Sequence, residues 1–180
     1  MLYTGNGDDG TTKLFNCDQQ KISKSSEVPE ALGALDELNA FLGFVKVRAT
    51  KESRIANALR EMQENLFIIQ AEIAGHHTNP VGMVAGAVKN IEKVINDIEK
   101  EIPTVKNFCI TGGTELSALL DVARTLARHA ERRLIATEEK KIRVLQPETK
   151  AYMNRLSSLL FALARLANHL AGVPEESPHY

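Results

Sequence analysis

Cysteine is scarce in this chain, with only Cys17 and Cys109 present. Their separation fits neither a zinc site nor a CxxC redox pair, so both thiols are expected to be structural. Excess charge of either sign is also missing. The 22 Lys+Arg against 23 Asp+Glu leave a net charge of −1, which gives no reason to expect nucleic acid or a membrane surface as a partner. No apolar run approaches the ~18 residues that a membrane helix needs. No basic, apolar, small-residue leader opens the sequence, so a cytoplasmic protein is expected. Catalytic and metal-binding spacings are equally scarce. There is no Ser-His-Asp or Cys-His constellation, and the two Glu-x-x-His motifs on separate helices that build di-iron sites in helical bundles are missing. Glu72 and His76 are four apart, but His76-His77 directly follow Gly75 and better suit a helix C-terminus than a metal, so no metal ligand is assigned.

What is present is helical periodicity. The 180 residues, 43% of them hydrophobic, are expected to form one domain with a sizeable core. Ser25 or Ser26 can cap a first helix with Pro29 in its first turn, followed by Leu32, Leu35, Leu38 and Leu42 at helical spacing. A second helix starts near Glu52 and ends at Gly75, with Asn79-Pro80 breaking the chain behind it. A third runs from about Gly82 to just before Pro103. The fourth starts after Thr114-Glu115, and Pro147 opens a fifth that Gly172 and Pro174 end. Five long amphipathic helices with short connections predict an all-α, antiparallel, ferritin-like bundle. Within the single domain 1–180, residues 1–24 form an N-terminal loop, 25–172 the bundle and 173–180 a tail. The only strand candidates are Leu2-Tyr3 and Phe108-Ile110. Gly33 and Gly43 fall inside the first helix, where each costs roughly 1 kcal/mol relative to Ala, so they mark either close helix contact or simple tolerance.

The stretch GNGDDG, residues 5–10, fits G-x-G-x-x-G and comes within a lysine of the P-loop pattern. Both of those folds need a strand before the loop and a helix on its last glycine, and here neither pattern is present. The chemistry survives the loss of the folds. Glycine backbone amides can approach an anion and form a nest, while Thr4, Thr11 and Thr12 add hydroxyls and Lys13, Lys21 and Lys24 add charge. Asp8 and Asp9 oppose an anion unless one holds Mg²⁺ or braces the loop. A turn with no ligand accounts for the same composition.

A second signal is ARTLARHAERRL. Arg124, Arg128 and Glu131 share one helix face, and Arg132 continues from Arg128. Several guanidinium forks on one helix suit a polyanion such as triphosphate. A solvated surface with weak local contacts suits them as well. Asp36 and Asn39 in LGALDELNAFLG, and Asn154 and Arg155 in YMNRLSSLLFALAR, adjoin core stripes, as helix surface or as contacts between subunits. Phe108, before the Gly112-Gly113 turn, is expected in the core.

In chain order, these segments resemble one family. TGNGDDGTT resembles the T-[KR]-x-G-D-x-G-x-T of PduO-type ATP:cob(I)alamin adenosyltransferases. EALGALDELNAFLG resembles their E-A-x-G-x-x-D-E-L-N-x-x-x-G, and NFCITGG their F-[IV]-x-P-G-G. RHAERRL resembles R-R-A-E-R-x-[LV], and YMNRLSSLLFALAR resembles Y-L-N-R-L-S-D-x-L-F-x-x-A-R. The resemblance implies a homotrimer with active sites between neighbours, transferring the 5′-deoxyadenosyl group of ATP, with Mg²⁺, to the cobalt of cob(I)alamin and releasing triphosphate. It implies that Thr4, Gly5, Asn6, Gly7, Thr12, Lys13 and Lys24 bind ATP from one subunit, and Arg128, Glu131, Arg132 and Asn154 from the next. Phe108 would face the lower side of the corrin, and Asp36 would pair with Arg124 across the interface. A cobalamin reductase and an adenosylcobalamin-dependent mutase are the implied partners. The sequence departs from the family pattern at Gly5, Asp9, Thr111, His129 and Ser158; three of these changes remove or reverse positive charge near the expected triphosphate. A binding module that stores or delivers ATP or adenosylcobalamin is the alternative.

Overall fold

Apolar residues three and four apart put one stripe on each helix, and the stripes can leave water only by facing one another. In the computed structural model they do so in five helices: α1 (Glu27–Arg48), α2 (Ser53–Ile73), α3 (Val81–Glu101), α4 (Glu115–Glu139) and α5 (Pro147–Leu170). The described residues are 2–14, 21–75 and 81–179, without the side chains of residues 81–83. Cys17, His76, His77, Asn79 and Pro80 lie outside them.

The helix ends follow local chemistry. Thr114 caps α4 by accepting a bond from the Ser117 amide at 3.1 Å, and Pro147 opens α5 where its missing N–H costs nothing. Gly75 and Gly172 take left-handed φ values of 90° and 68° at the ends of α2 and α5. Ser26 holds the N-cap position of α1 without capping it; its hydroxyl instead donates to the Ser23 carbonyl at 2.7 Å.

Helix α4 packs against α1 and α5, α5 also packs against α3, and α1 also packs against α2. Lys140 meets Glu27 at one end of the α1–α4 pair, and Arg48 lies 3.5 Å from Glu115 at the other, so the two run antiparallel. The core is aliphatic: Leu35, Leu38, Leu42, Leu59, Leu66, Leu156, Leu160 and Leu163 are fully buried. Each contributes roughly 1.5–3 kcal/mol of transfer free energy. Tyr152 is buried among them, and burial pushes its phenol well above the usual tyrosine range. Gly43 does mark close contact, because a Cβ there would approach Gln63 Nε2 to 3.2 Å, whereas Gly33 faces open space. No helix of the described residues is long and apolar enough to cross a membrane.

The expected strand positions need correcting. Leu2 and Tyr3 form no strand and stand in solvent, and Phe108-Ile110 is irregular. The sheet is instead an antiparallel pair, β1 (Thr11–Lys13) and β2 (Lys21–Ser23), with Thr12 opposite Ile22. Three-residue polar strands carry too little alternation to stand out in a sequence.

Candidate active site

The N-terminal loop is built by its glycines and one aspartate. Gly5 sits at φ 69° and Gly10 at φ 76°, conformations that side chains resist, so the glycine found at position 5 fits its backbone. The Asp8 amide closes a turn on the Gly5 carbonyl at 3.3 Å, and the Gly10 amide closes one on the Gly7 carbonyl at 3.1 Å. Asp9 accepts from the Thr11 amide at 3.0 Å, from the Thr11 hydroxyl at 2.6 Å and from Lys21 at 2.6 Å. These donors hold its carboxyl well below the usual carboxylate range, the Lys21 bond most of all. Asp9 therefore braces the loop and is occupied; its charge is offset by Lys21. Lys24 reaches back to the Gly7 carbonyl at 2.7 Å, and a Cβ on Gly7 would collide with its Nζ. Thr4 accepts from the Asn6 amide at 3.4 Å. Thr12 and Lys13 lie on β1.

The second group lies on α4 and α5. Arg124, Arg128, Ser157, Ser158, Phe161 and Arg165 line a groove of about 640 Å³ that the 102–105 segment closes. Arg128 and Arg132 are exposed, and both guanidinium groups are open to a ligand. Glu131 accepts from Asn154 at 3.4 Å, and Asn154 accepts from Arg155 at 2.8 Å. Arg124 donates to Asp121 at 3.3 Å within its own helix. Asp36 is exposed on α1, bordering an apolar groove with Phe67 and Gly33. Asn39, by contrast, turns into the core. At His129, Nε2 accepts from Arg133 at 3.3 Å.

Phe108 corrects the expectation of a core residue: it is 79% exposed. It projects from the connector 103–113 and borders a cavity of about 670 Å³ with Phe161, Ser177 and Pro178. Cys109 beside it is a free thiol.

The loop and the arginine face are carried by different elements. Thr4 to Thr12 and Lys24 bond within the loop, which is rooted at the end of α1 where Glu27 meets Lys140. Lys140 is twelve residues, or about 18 Å of helix rise, beyond Arg128. The loop and Arg128 thus sit on different elements, with Arg132 nearer the loop's root, since neighbouring Arg133 lies 3.6 Å from Glu30 in the first turn of α1.

Sequence reasoning passed over the buried charges beneath the groove. Arg165 is 2% exposed and donates to Asp121 at 2.7 Å and to Ser117 at 3.2 Å. Its guanidinium also lies over the Phe161 ring and 3.1 Å from Glu175. Asn168, equally buried, bonds Thr114, Gly112 and Glu175. An arginine inside the apolar run LFALARLAN was the available signal, since a charge on a buried stripe needs a partner. Among the described residues, no three His, Cys, Asp or Glu side chains cluster as metal ligands.

Comparison with known proteins gives the family and matches the fold. The family model described as cobalamin adenosyltransferase matches residues 2–167. The chain is 38% identical over 174 residues to the corrinoid adenosyltransferase PduO of Citrobacter freundii, covering 93% of this chain and 50% of that protein. It therefore spans about half the length of that relative. It is 31% identical over 176 residues to the corrinoid adenosyltransferase of Bacillus subtilis, covering 96% of this chain and 89% of that one. The fold matches a variant of the PduO-type ATP:corrinoid adenosyltransferase from Lactobacillus reuteri complexed with cobalamin and ATP. That match has a TM-score of 0.86 at 29% identity and covers 99% of this chain and 97% of that one. With the family model matched over residues 2–167 and a relative of which 89% is covered at 31% identity, the chain belongs to the cobalamin adenosyltransferase family.

Proposed function

We propose that the protein transfers the 5′-deoxyadenosyl group of ATP to the cobalt of a reduced corrinoid, releasing triphosphate. What supports this reading is a loop shaped by glycines at left-handed φ together with the exposed arginines Arg128 and Arg132 on α4. In this reading the protein is a homotrimer in which each loop meets the neighbour's α4. Asp36 is open on α1 to pair with Arg124 of the next subunit.

The residues divide the work without a side-chain general base. Reduced cobalt supplies the electron pair of the new cobalt–carbon bond, and the C5′–oxygen bond breaks with its pair leaving on triphosphate. The loop, through the amides of Gly5, Asn6 and Gly7 with Thr12, Lys13 and Lys24, holds the phosphates. Arg128 and Arg132 meet the charge that develops on the leaving group, and Asn154 orients Glu131. Phe108 presents an apolar face to the lower side of the corrin and excludes an axial ligand there. Holding C5′ against the cobalt is itself a large part of such catalysis.

Magnesium fits as a companion of the nucleotide. It keeps several waters and takes one or two carboxylates, so it needs no preformed cage. Asp8 and Glu131 would supply those carboxylates, since Asp9 is occupied, and the ion would neutralise triphosphate charge. One domain working in the cytoplasm, beside a cobalamin reductase and an adenosylcobalamin-dependent mutase, completes the reading.

The test is Arg128→Ala. Its expected effect is a loss of kcat/KM of at least a hundredfold, about 2.7 kcal/mol, with the assembly intact by sedimentation. Near-normal turnover in an intact assembly would remove the triphosphate clamp from α4.

A further inference from the structure

The Phe108 ring stands in solvent, so its position comes from the connector backbone rather than from packing. The hydrogen bonds that tie the far end of that connector to the bundle converge on one buried amide. Asn168 Oδ1 accepts from the Thr114 amide at 3.0 Å and from the Thr114 hydroxyl at 3.1 Å. Its Nδ2 donates to the Gly112 carbonyl at 3.0 Å and to Glu175 at 3.0 Å. Two lone pairs and two N–H groups are thereby all used, and the amide can take only this orientation. Gly112 and Gly113 adopt φ values of 127° and 94°, and a Cβ on Gly113 would come within 2.7 Å of the Asn168 amide. The glycine pair is there so that the connector can close on Asn168.

The fourth bond leads into the C-terminal tail. Glu175 takes Asn168 and also lies 3.1 Å from Arg165 Nε. The Ile110 amide donates to the Glu176 carbonyl at 2.8 Å. Ser177 and Pro178, just beyond, line the cavity that Phe108 borders. Connector and tail are two walls of one cavity, joined through Asn168 and Glu175.

We infer that Asn168 and Glu175 are positioning residues for corrinoid binding: together they set the distance between the Phe108 connector and residues 173–179. This rests on the proposed adenosyl transfer. It predicts an effect confined to the corrinoid side of the reaction, because neither residue touches the glycine loop or Arg128.

The test compares wild type with Asn168→Asp, Glu175→Ala and Glu175→Gln, using ATP and reduced cobalamin, together with hydrogen exchange at the Ile110 amide in ligand-free protein. Aspartate at 168 still accepts from Thr114 but cannot donate to Gly112 or Glu175. Asn168→Asp is expected to lower kcat/KM for the corrinoid about tenfold, and Glu175→Ala severalfold, with KM for ATP within twofold. Glu175→Gln, whose carbonyl still accepts from Asn168, restores most of the loss. Exchange at Ile110 accelerates in Asn168→Asp and Glu175→Ala but not in Glu175→Gln. ATP and corrinoid parameters moving together, or unchanged Ile110 exchange in Glu175→Ala, overturns the inference. Should Asn168→Asp fail to fold, Glu175→Ala on the surface tail decides alone. A wild type that forms no adenosylated product defeats the proposed reaction instead, and Ile110 exchange then still decides whether tail and connector are joined.

Discussion

Replacing Asp121 by Ala removes the carboxylate on which two arginines converge. Arg165, 2% exposed, gives it a 2.7 Å bond, and Arg124 gives it a 3.3 Å bond. Arg165 would keep Ser117 at 3.2 Å and the Phe161 ring, but no carboxylate aligned for a hydrogen bond. Its Nη1 has no partner, and its Nε lies 3.1 Å from Glu175 without hydrogen-bond alignment. Breaking a buried pair by deleting one member costs about 3–5 kcal/mol, because the remaining charge stays out of water. That is a large share of a typical stability of roughly 5–15 kcal/mol. With a urea m-value near the upper end of the usual range, about 2–3 kcal/mol/M, the midpoint falls by roughly 1–2.5 M. Equilibrium unfolding followed by circular dichroism reads this shift. The double variant Asp121→Leu/Arg165→Met removes both charges and should recover most of the loss, since apolar replacements of buried pairs are often neutral or stabilising. A single-variant cost below about 1 kcal/mol, the range of an exposed pair, would refute the reasoning. So would a double variant no more stable than Asp121→Ala.

Three further expectations follow from single contacts. Asp36→Asn should shift the sedimenting species toward smaller assemblies and reduce turnover in parallel; unchanged values for both would remove the Asp36–Arg124 pairing. Asp9→Ala should raise KM for ATP severalfold, and Lys21→Ala should do the same, with the double variant no worse than either, because one brace is lost in each case. Full additivity would mean that the two residues act separately. The phenol of Tyr152 is raised by burial, so the stability it contributes is complete below about pH 10 and is lost as pH rises beyond that. Absorbance at about pH 11 should show no phenolate difference between wild type and Tyr152→Phe while both are folded, and one tyrosine's worth in denaturant. A full phenolate step in the folded protein contradicts the burial argument.

The helices were legible because their signal is repeated. Leu35, Leu38 and Leu42 restate one spacing, and Pro147 and Gly172 mark the ends of α5. The glycine loop and the Arg128 face were legible as candidates, since residue type suggests anion chemistry, and the structure shows the loop's left-handed glycines and an exposed Arg128. What escaped depends on pairings across the fold. Arg165 and Asp121 are 44 positions apart, and Asn168 and Gly112 are 56 apart, so no local pattern could join them. Phe108 was misplaced because average burial of phenylalanine outweighs its position in a connector. The role of Asp9 stayed open until the structure put Lys21 against it, since composition cannot separate a loop brace from a metal ligand. The hairpin was lost for want of length.

Adenosyl transfer itself is tested most directly by mixing the protein with ATP, Mg²⁺ and chemically reduced cobalamin under anaerobic conditions. The absorbance spectrum of the product and the inorganic triphosphate released are followed together. The expected result is the spectrum of a cobalt–carbon bond, growing only when ATP is present, with one triphosphate released per adenosylcobalamin. ATP and cobalamin binding without that product, or phosphate release without a cobalt–carbon bond, would contradict it.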